Sequence, residues 1–136
     1  MVVYLNIVAM TQVTPAEVAK FRTQLVDYPD AIKALQVIEE CEGNLEDAAM
    51  VLAIRAGQQP EIANSDWLDS LAKKCRAAIC KEEFRSSLVA ENFAVVAGHL
   101  TATKLCPALL VTPVLMYAVQ DGINNFCEPL DAVSAV

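Results

Sequence analysis

Histidine and tryptophan occur once each, at His99 and Trp67, and aromatic residues make up only 6% of the chain. With one imidazole present, a tetrahedral zinc site would need several distant cysteines, so neither a metal nor a cofactor is expected. Scarce aromatics imply a core that is aliphatic and rich in alanine. Basic residues are few as well: 10 Lys and Arg stand against 17 Asp and Glu, for a net charge of −7 and a pI near 4.6. A nucleic-acid surface needs clustered Lys and Arg, and this balance argues against one. Long apolar runs are missing too. The uncharged stretch 105–120 spans about 24 Å as a helix, short of the roughly 30 Å of a bilayer core. Pro107 and Pro113 divide it further, so no membrane span is expected.

The opening MVVYLNIVAM carries no basic region and no cleavage site of a secretory leader. It reads as a helix or packed coil extending the core, since a lone strand has no partner in the chain. An edge that pairs with a second copy is the alternative. Five cysteines, Cys41, Cys75, Cys80, Cys106 and Cys127, are odd in number and irregularly spaced. That pattern predicts reduced thiols in a cytoplasmic protein, used as small apolar core groups.

What the chain does hold is apolar spacing of helical period, within a hydrophobic content of 55%. Thr14-Pro15-Ala16-Glu17 has the form of a capping box with proline at the first helical position. Val18, Phe21 and Leu25 follow on one face, and Pro29 is expected to end this helix. Ile32, Leu35 and Ile38 line a second helix opposite Lys33, Gln36, Glu39 and Glu40, with Asp30 as its expected cap. Gly43 supplies a left-handed corner and Asn44 caps the next helix, with Glu46 and Asp47 in its first turn. Leu45, Ala48, Ala49, Val51 and Leu52 give that helix its apolar side, and Gly57 closes it.

Leu25…Tyr28-Pro29, then Ala34-Leu35, then Gly43-Asn44-Leu45-Glu46-Asp47-Ala48-Ala49…Leu52 resembles the ubiquitin-associated (UBA) and CUE-like three-helix fold over residues 14–57. In that family an aromatic-Pro loop follows the first helix, and a Gly-Asn corner precedes a helix of the form V/L-E-x-A-x-x-x-L. The resemblance implies a partner-binding surface of Asp27, Tyr28 and Pro29 with the end of the third helix, Val51, Leu52 and Ile54. The family's ubiquitin-binding loop reads Met-Gly-Phe or Met-Phe-Pro, where this chain has Val26-Asp27-Tyr28-Pro29. The related module of elongation factor Ts binds a GTPase, so the resemblance implies a protein partner and leaves its identity open.

Residues 57–65, GQQPEIANS, read as a linker. Ser65 is expected to cap a helix beginning Asp66-Trp67-Leu68, with Trp67, Leu68, Leu71, Cys75, Ala78 and Ile79 as its apolar stripe. Trp67 reads as a core anchor in preference to a binding hot spot. One helix is expected from Lys81 to His99 and another from Pro113 to Phe126. The latter, apolar over more than half its surface, belongs at the centre of the bundle or against a second subunit. The tail after Pro129 is expected to fray. The architecture expected is an all-α compact bundle. Residues 1–57 form a UBA-like unit with an apolar extension, and residues 66–127 form a unit of two or three longer helices packed on it.

No catalytic constellation stands out. A Cys106–His99 pair lacks an orienting third group. The acid pairs Glu39/Glu40, Glu46/Asp47 and Glu82/Glu83 point about 100° apart on their helices, as surface charges do. The reading is a non-enzymatic protein–protein interaction module or accessory subunit, whose partner is another protein or a second copy of the chain. A structural homo-oligomer is the alternative. A cysteine-dependent enzyme or redox protein using Cys75, Cys80 or Cys106 comes third, and requires an accessible thiol of low pKa.

Overall fold

The computed structural model describes residues 12–58 and 67–134, and its regular elements are all helices. They are α1 (Pro15–Gln24), α2 (Pro29–Glu40), α3 (Leu45–Arg55), α4 (Trp67–Ile79), α5 (Glu82–Val89), α6 (Phe93–Thr103), α7 (Ala108–Asp121) and α8 (Ile123–Ser134). The expectations for the opening stretch, for most of the linker and for the Ser65 cap lie outside the described residues.

Local chemistry sets the first three helices. Thr14 Oγ1 accepts from Glu17 N and Glu17 Oε1 accepts from Thr14 N, both at 3.1 Å, so two amides at the start of α1 are satisfied reciprocally. Pro29 does not end α1, which stops at Gln24; proline instead occupies the first position of α2. Tyr28 holds the cap position of α2 without a side-chain bond. Asp30 is therefore not the cap and stands inside the first turn, where its charge suits the helix dipole. At the corner, Gly43 has φ +84° and Asn44 Oδ1 accepts from Asp47 N at 3.1 Å.

Gly43 meets a second constraint from outside its own helices. Gln12 and Asn44 form an isolated antiparallel bridge, and Val13 N donates to Gly43 O at 2.9 Å. A Cβ on residue 43 would stand 2.3 Å from the Val13 carbonyl oxygen. Only glycine satisfies both the positive φ and the close approach.

The expected helix from Lys81 to His99 is two helices, broken between α5 and α6. Glu91 takes φ +62°, and Asn92 N reaches back to Ser87 O at 2.7 Å. Helix α1 then closes the elbow. Gln24 Nε2 donates to Glu91 O at 2.5 Å, and Gln24 Oε1 accepts from Phe93 N at 2.8 Å. Lys20 pairs with Glu91 at 3.0 Å, and the Phe21 and Phe93 rings stack with centroids 3.9 Å apart. A clamp from a distant helix leaves no trace in local periodicity.

The C-terminal boundaries also differ from expectation. Helix α7 starts at Ala108 and carries Pro113 inside it, while α8 runs through Pro129, so the tail is helical as far as Ser134. An interior proline removes one backbone hydrogen bond and costs a helix about 3 kcal/mol. Packing offsets that cost in α7, where every residue from Leu110 to Ala118 is buried. Fully burying a side chain such as Leu110, Val114 or Leu115 contributes about 1.5–3 kcal/mol each. Helix α8 is held by polar ties: Arg76 Nε donates to Phe126 O at 2.8 Å, and Arg85 grips Asp131 through both carboxylate oxygens at 2.8 and 2.9 Å.

Helix α7 is the axis of the bundle, packed against α2, α3, α4, α6 and α8. One cluster of buried apolar residues extends from Val13 to Cys127. Among the described residues no helix is long and apolar enough to cross a membrane.

Candidate functional site

The loop between α1 and α2 presents apolar side chains that the core leaves uncovered. Val26 is 64% exposed and Tyr28 39%, and Asp27, Pro29 and Asp30 are exposed beside them. Tyr28 and Pro29, with Asp30 and Ala31, line a small cleft together with Ala97 and Thr101 of α6 and Ala108, Val111 and Thr112 at the start of α7. A Cβ at Gly98 would lie 3.6 Å from Tyr28 Oη, an ordinary contact distance, so the tyrosine's place does not depend on glycine there.

The residues expected at the end of α3 fare differently. Val51 and Ile54 are exposed, at 36% and 62%, but neither contributes to the cleft wall. Leu52 is fully buried in the core, so in this fold its side chain has no surface to offer a partner. The structure thus unites Tyr28 and Pro29 with α6 and α7. Val26, the most exposed apolar group of the loop, was legible only as a neighbour of the aromatic-Pro pair. Further exposed apolar residues are Val89, Val95 and Leu105.

The cysteines overturn the expectation of reduced thiols throughout. Cys80 at the end of α4 and Cys127 on α8 form a disulfide across a sequence separation of 47. Cys75, earlier on α4, and Cys106, in the connection between α6 and α7, are both buried and unbridged. The hydrogen bond from Cys106 holds the Cys75 thiol below its ordinary value against the opposing effect of burial, with Lys74 assisting. Its proximity to Cys75, together with burial, pushes the Cys106 thiol upward. Cys41 is pushed up by burial and by Asp47 and Glu40, which makes it a poor nucleophile.

His99 does not meet Cys106 as a base. Its ring stacks on Phe84 with centroids 4.0 Å apart, and its Nε2 is buried with no hydrogen-bond partner among the described residues. Another polar contact joins α4 to α7. Tyr117 Oη donates to Asp69 Oδ1 at 2.5 Å, and Lys73 Nζ lies 2.8 Å from Asp69 Oδ2. Burial works to raise Asp69, but hydrogen bonds from Lys73 and Tyr117 prevail and hold its carboxyl below the usual carboxylate value. Burial and the Asp69 carboxylate push the Tyr117 hydroxyl upward. Among the described residues no group of three or more His, Cys, Asp or Glu side chains is placed to hold a metal ion. No family model, no curated protein and no solved structure matches the chain.

Proposed function

We propose that the protein is a non-enzymatic protein–protein interaction module or accessory subunit, with the UBA-like unit of residues 14–57 as its docking element. The observation that carries this reading is the exposure of Val26 and Tyr28 on one loop, with Tyr28 also lining a largely apolar cleft. An apolar anchor from a partner gains by covering these side chains, and the exposed acids Asp27 and Asp30 favour Lys or Arg flanking that anchor. Asp27 occupies a loop position where the ubiquitin-binding pattern is apolar or glycine, which favours a basic amphipathic segment over ubiquitin.

Affinity capture from the source lysate, with wild type compared against Val26→Asp and Tyr28→Ala, tests the reading. Both substitutions lie on exposed side chains, so circular dichroism should stay unchanged while the captured protein is lost. Equal capture by all three proteins, or capture by none, refutes it. Adding ubiquitin as a competitor separates a UBA-like partner from any other. The exposed Val89 and Val95 favour a second reading, a homo-oligomer, which sedimentation at micromolar concentration decides. A cytoplasmic location belongs to this proposal as well. It is at odds with the Cys80–Cys127 bridge, because disulfides persist mainly in oxidising compartments. Alkylation of the protein directly in lysing cells shows which holds.

A further inference from the structure

A single residue joins α8 to the axial helix, since α7 ends at Asp121 and α8 begins at Ile123. Gly122 between them has φ +91°, and a Cβ there would meet nothing nearer than Asn125 Cβ at 4.0 Å, so the joint is unobstructed. Pro129 lies inside α8 and removes a backbone donor, and its 12 residues are too few to hold a helix in water unaided. The conformation of α8 therefore rests on what it touches. Arg76 of α4 donates to Phe126 O and lies over the Phe126 ring, 5.0 Å from its centroid. Arg85 of α5 bonds Asn124 and Asp131. The Arg85–Asp131 pair reaches solvent, where salt screens it. Cys80–Cys127 adds a covalent tie whose two sulfurs differ in access. Cys80, just past the end of α4, is partly exposed, whereas Cys127 is fully buried.

We propose that the Cys80–Cys127 bridge is a redox latch: a dithiol reductant opens it by attack at Cys80, and its opening releases α8 about Gly122 while the rest of the bundle stays folded. Cys80 is the entry sulfur because a thiolate from solvent reaches it and does not reach Cys127. The reductant's thiolate bonds to the Cys80 sulfur, the Cys80–Cys127 bond breaks, and Cys127 leaves as a thiolate that takes up a proton. The second thiol of the reductant gives up its proton and attacks the reductant's own sulfur in the mixed disulfide. Cys80 then leaves as a thiolate and is protonated in turn. One dithiol and one protein cystine become one cyclic disulfide and two protein thiols, with the reductant oxidised and the protein reduced. Once the bridge is open, Arg76, Arg85 and the apolar side chains of Ile123, Phe126 and Cys127 are left to hold α8. Undocking returns the conformational freedom of its residues, and a terminal helix so held lies at the low end of local stability. The other helices keep their packing, because α7 contacts α2, α3, α4 and α6 without using α8.

The test uses the full chain, treated with dithiothreitol in the absence of denaturant. Iodoacetamide labelling and peptide mapping by mass spectrometry then time the exposure of each thiol. Cys75 is the internal reference, because it lies on α4 and is as fully buried as Cys127. The bridge should open under these native conditions, and Cys127 should be alkylated about tenfold faster than Cys75. Cys80→Ser frees Cys127 with no reductant present and should show the same ratio. Adding Arg85→Gln to it should raise the ratio further, since the bonds to Asn124 and Asp131 are lost. Protection of Cys75 in each variant reports that the rest of the chain is folded. A bridge that yields only in denaturant overturns the entry at Cys80. Equal rates for Cys127 and Cys75 overturn the release of α8, because the helices then open together or not at all.

Discussion

Single residues hold this fold where two demands coincide. Gly43 is the clearest case, since its positive φ and its contact with the Val13 carbonyl both forbid a side chain. Gly57 has a similar φ of +81° but open space where a Cβ would lie. Gly57→Ala should therefore cost about 1 kcal/mol, the ordinary penalty of left-handed backbone. Gly43→Ala should cost about 3 kcal/mol or more, because the clash adds to that penalty. Urea unfolding of the two variants side by side separates the effects. Gln24 has a comparable double role at the α5–α6 elbow. Gln24→Ala leaves Phe93 N and Glu91 O without their partner and should lower stability by about 2 kcal/mol, read from the same midpoints. Gly43 was legible from sequence as a corner because Gly-Asn is a local signal. Gln24 was not, because its partners lie more than sixty residues away.

At the scale of elements, helices α1 to α3 followed their caps and periodicity, and the later helices followed tertiary contacts. Pro113 illustrates the reason. By local rules a proline opens a helix, but burial of the residues around it lets α7 run continuously from Ala108. The Asp69–Tyr117 contact between α4 and α7 adds a pH dependence. Asp69 has a folded pKa below its ordinary value of 3.8, so its contribution is complete above that value and is lost as pH falls through the folded pKa. Asp69→Asn should therefore be less stable than wild type near neutrality, and the difference should shrink below about pH 4. Unfolding midpoints across the acid range measure it, and a gap that stays constant to low pH contradicts the assigned contact.

Across the whole molecule, α8 depends on distant ties, and the disulfide is the strongest of them. Closing a loop of 47 residues restricts the unfolded chain, so reduction of Cys80–Cys127 should remove about 4 kcal/mol. Thermal unfolding with and without dithiothreitol checks this, and Cys80→Ser should reproduce the reduced state. The sequence by itself determined the all-helical class, the three short helices of residues 14–57 and the apolar loop at Tyr28, because capping, glycine corners and 3.6-residue spacing act within a few residues. Tertiary structure alone decided that Leu52 is core, that Tyr28 faces α6 and α7, that α5 and α6 part at Glu91, and that Cys80 pairs with Cys127. Those outcomes depend on which surfaces meet when α7 is buried. Contacts between residues 30 to 70 positions apart leave no periodic mark along a chain.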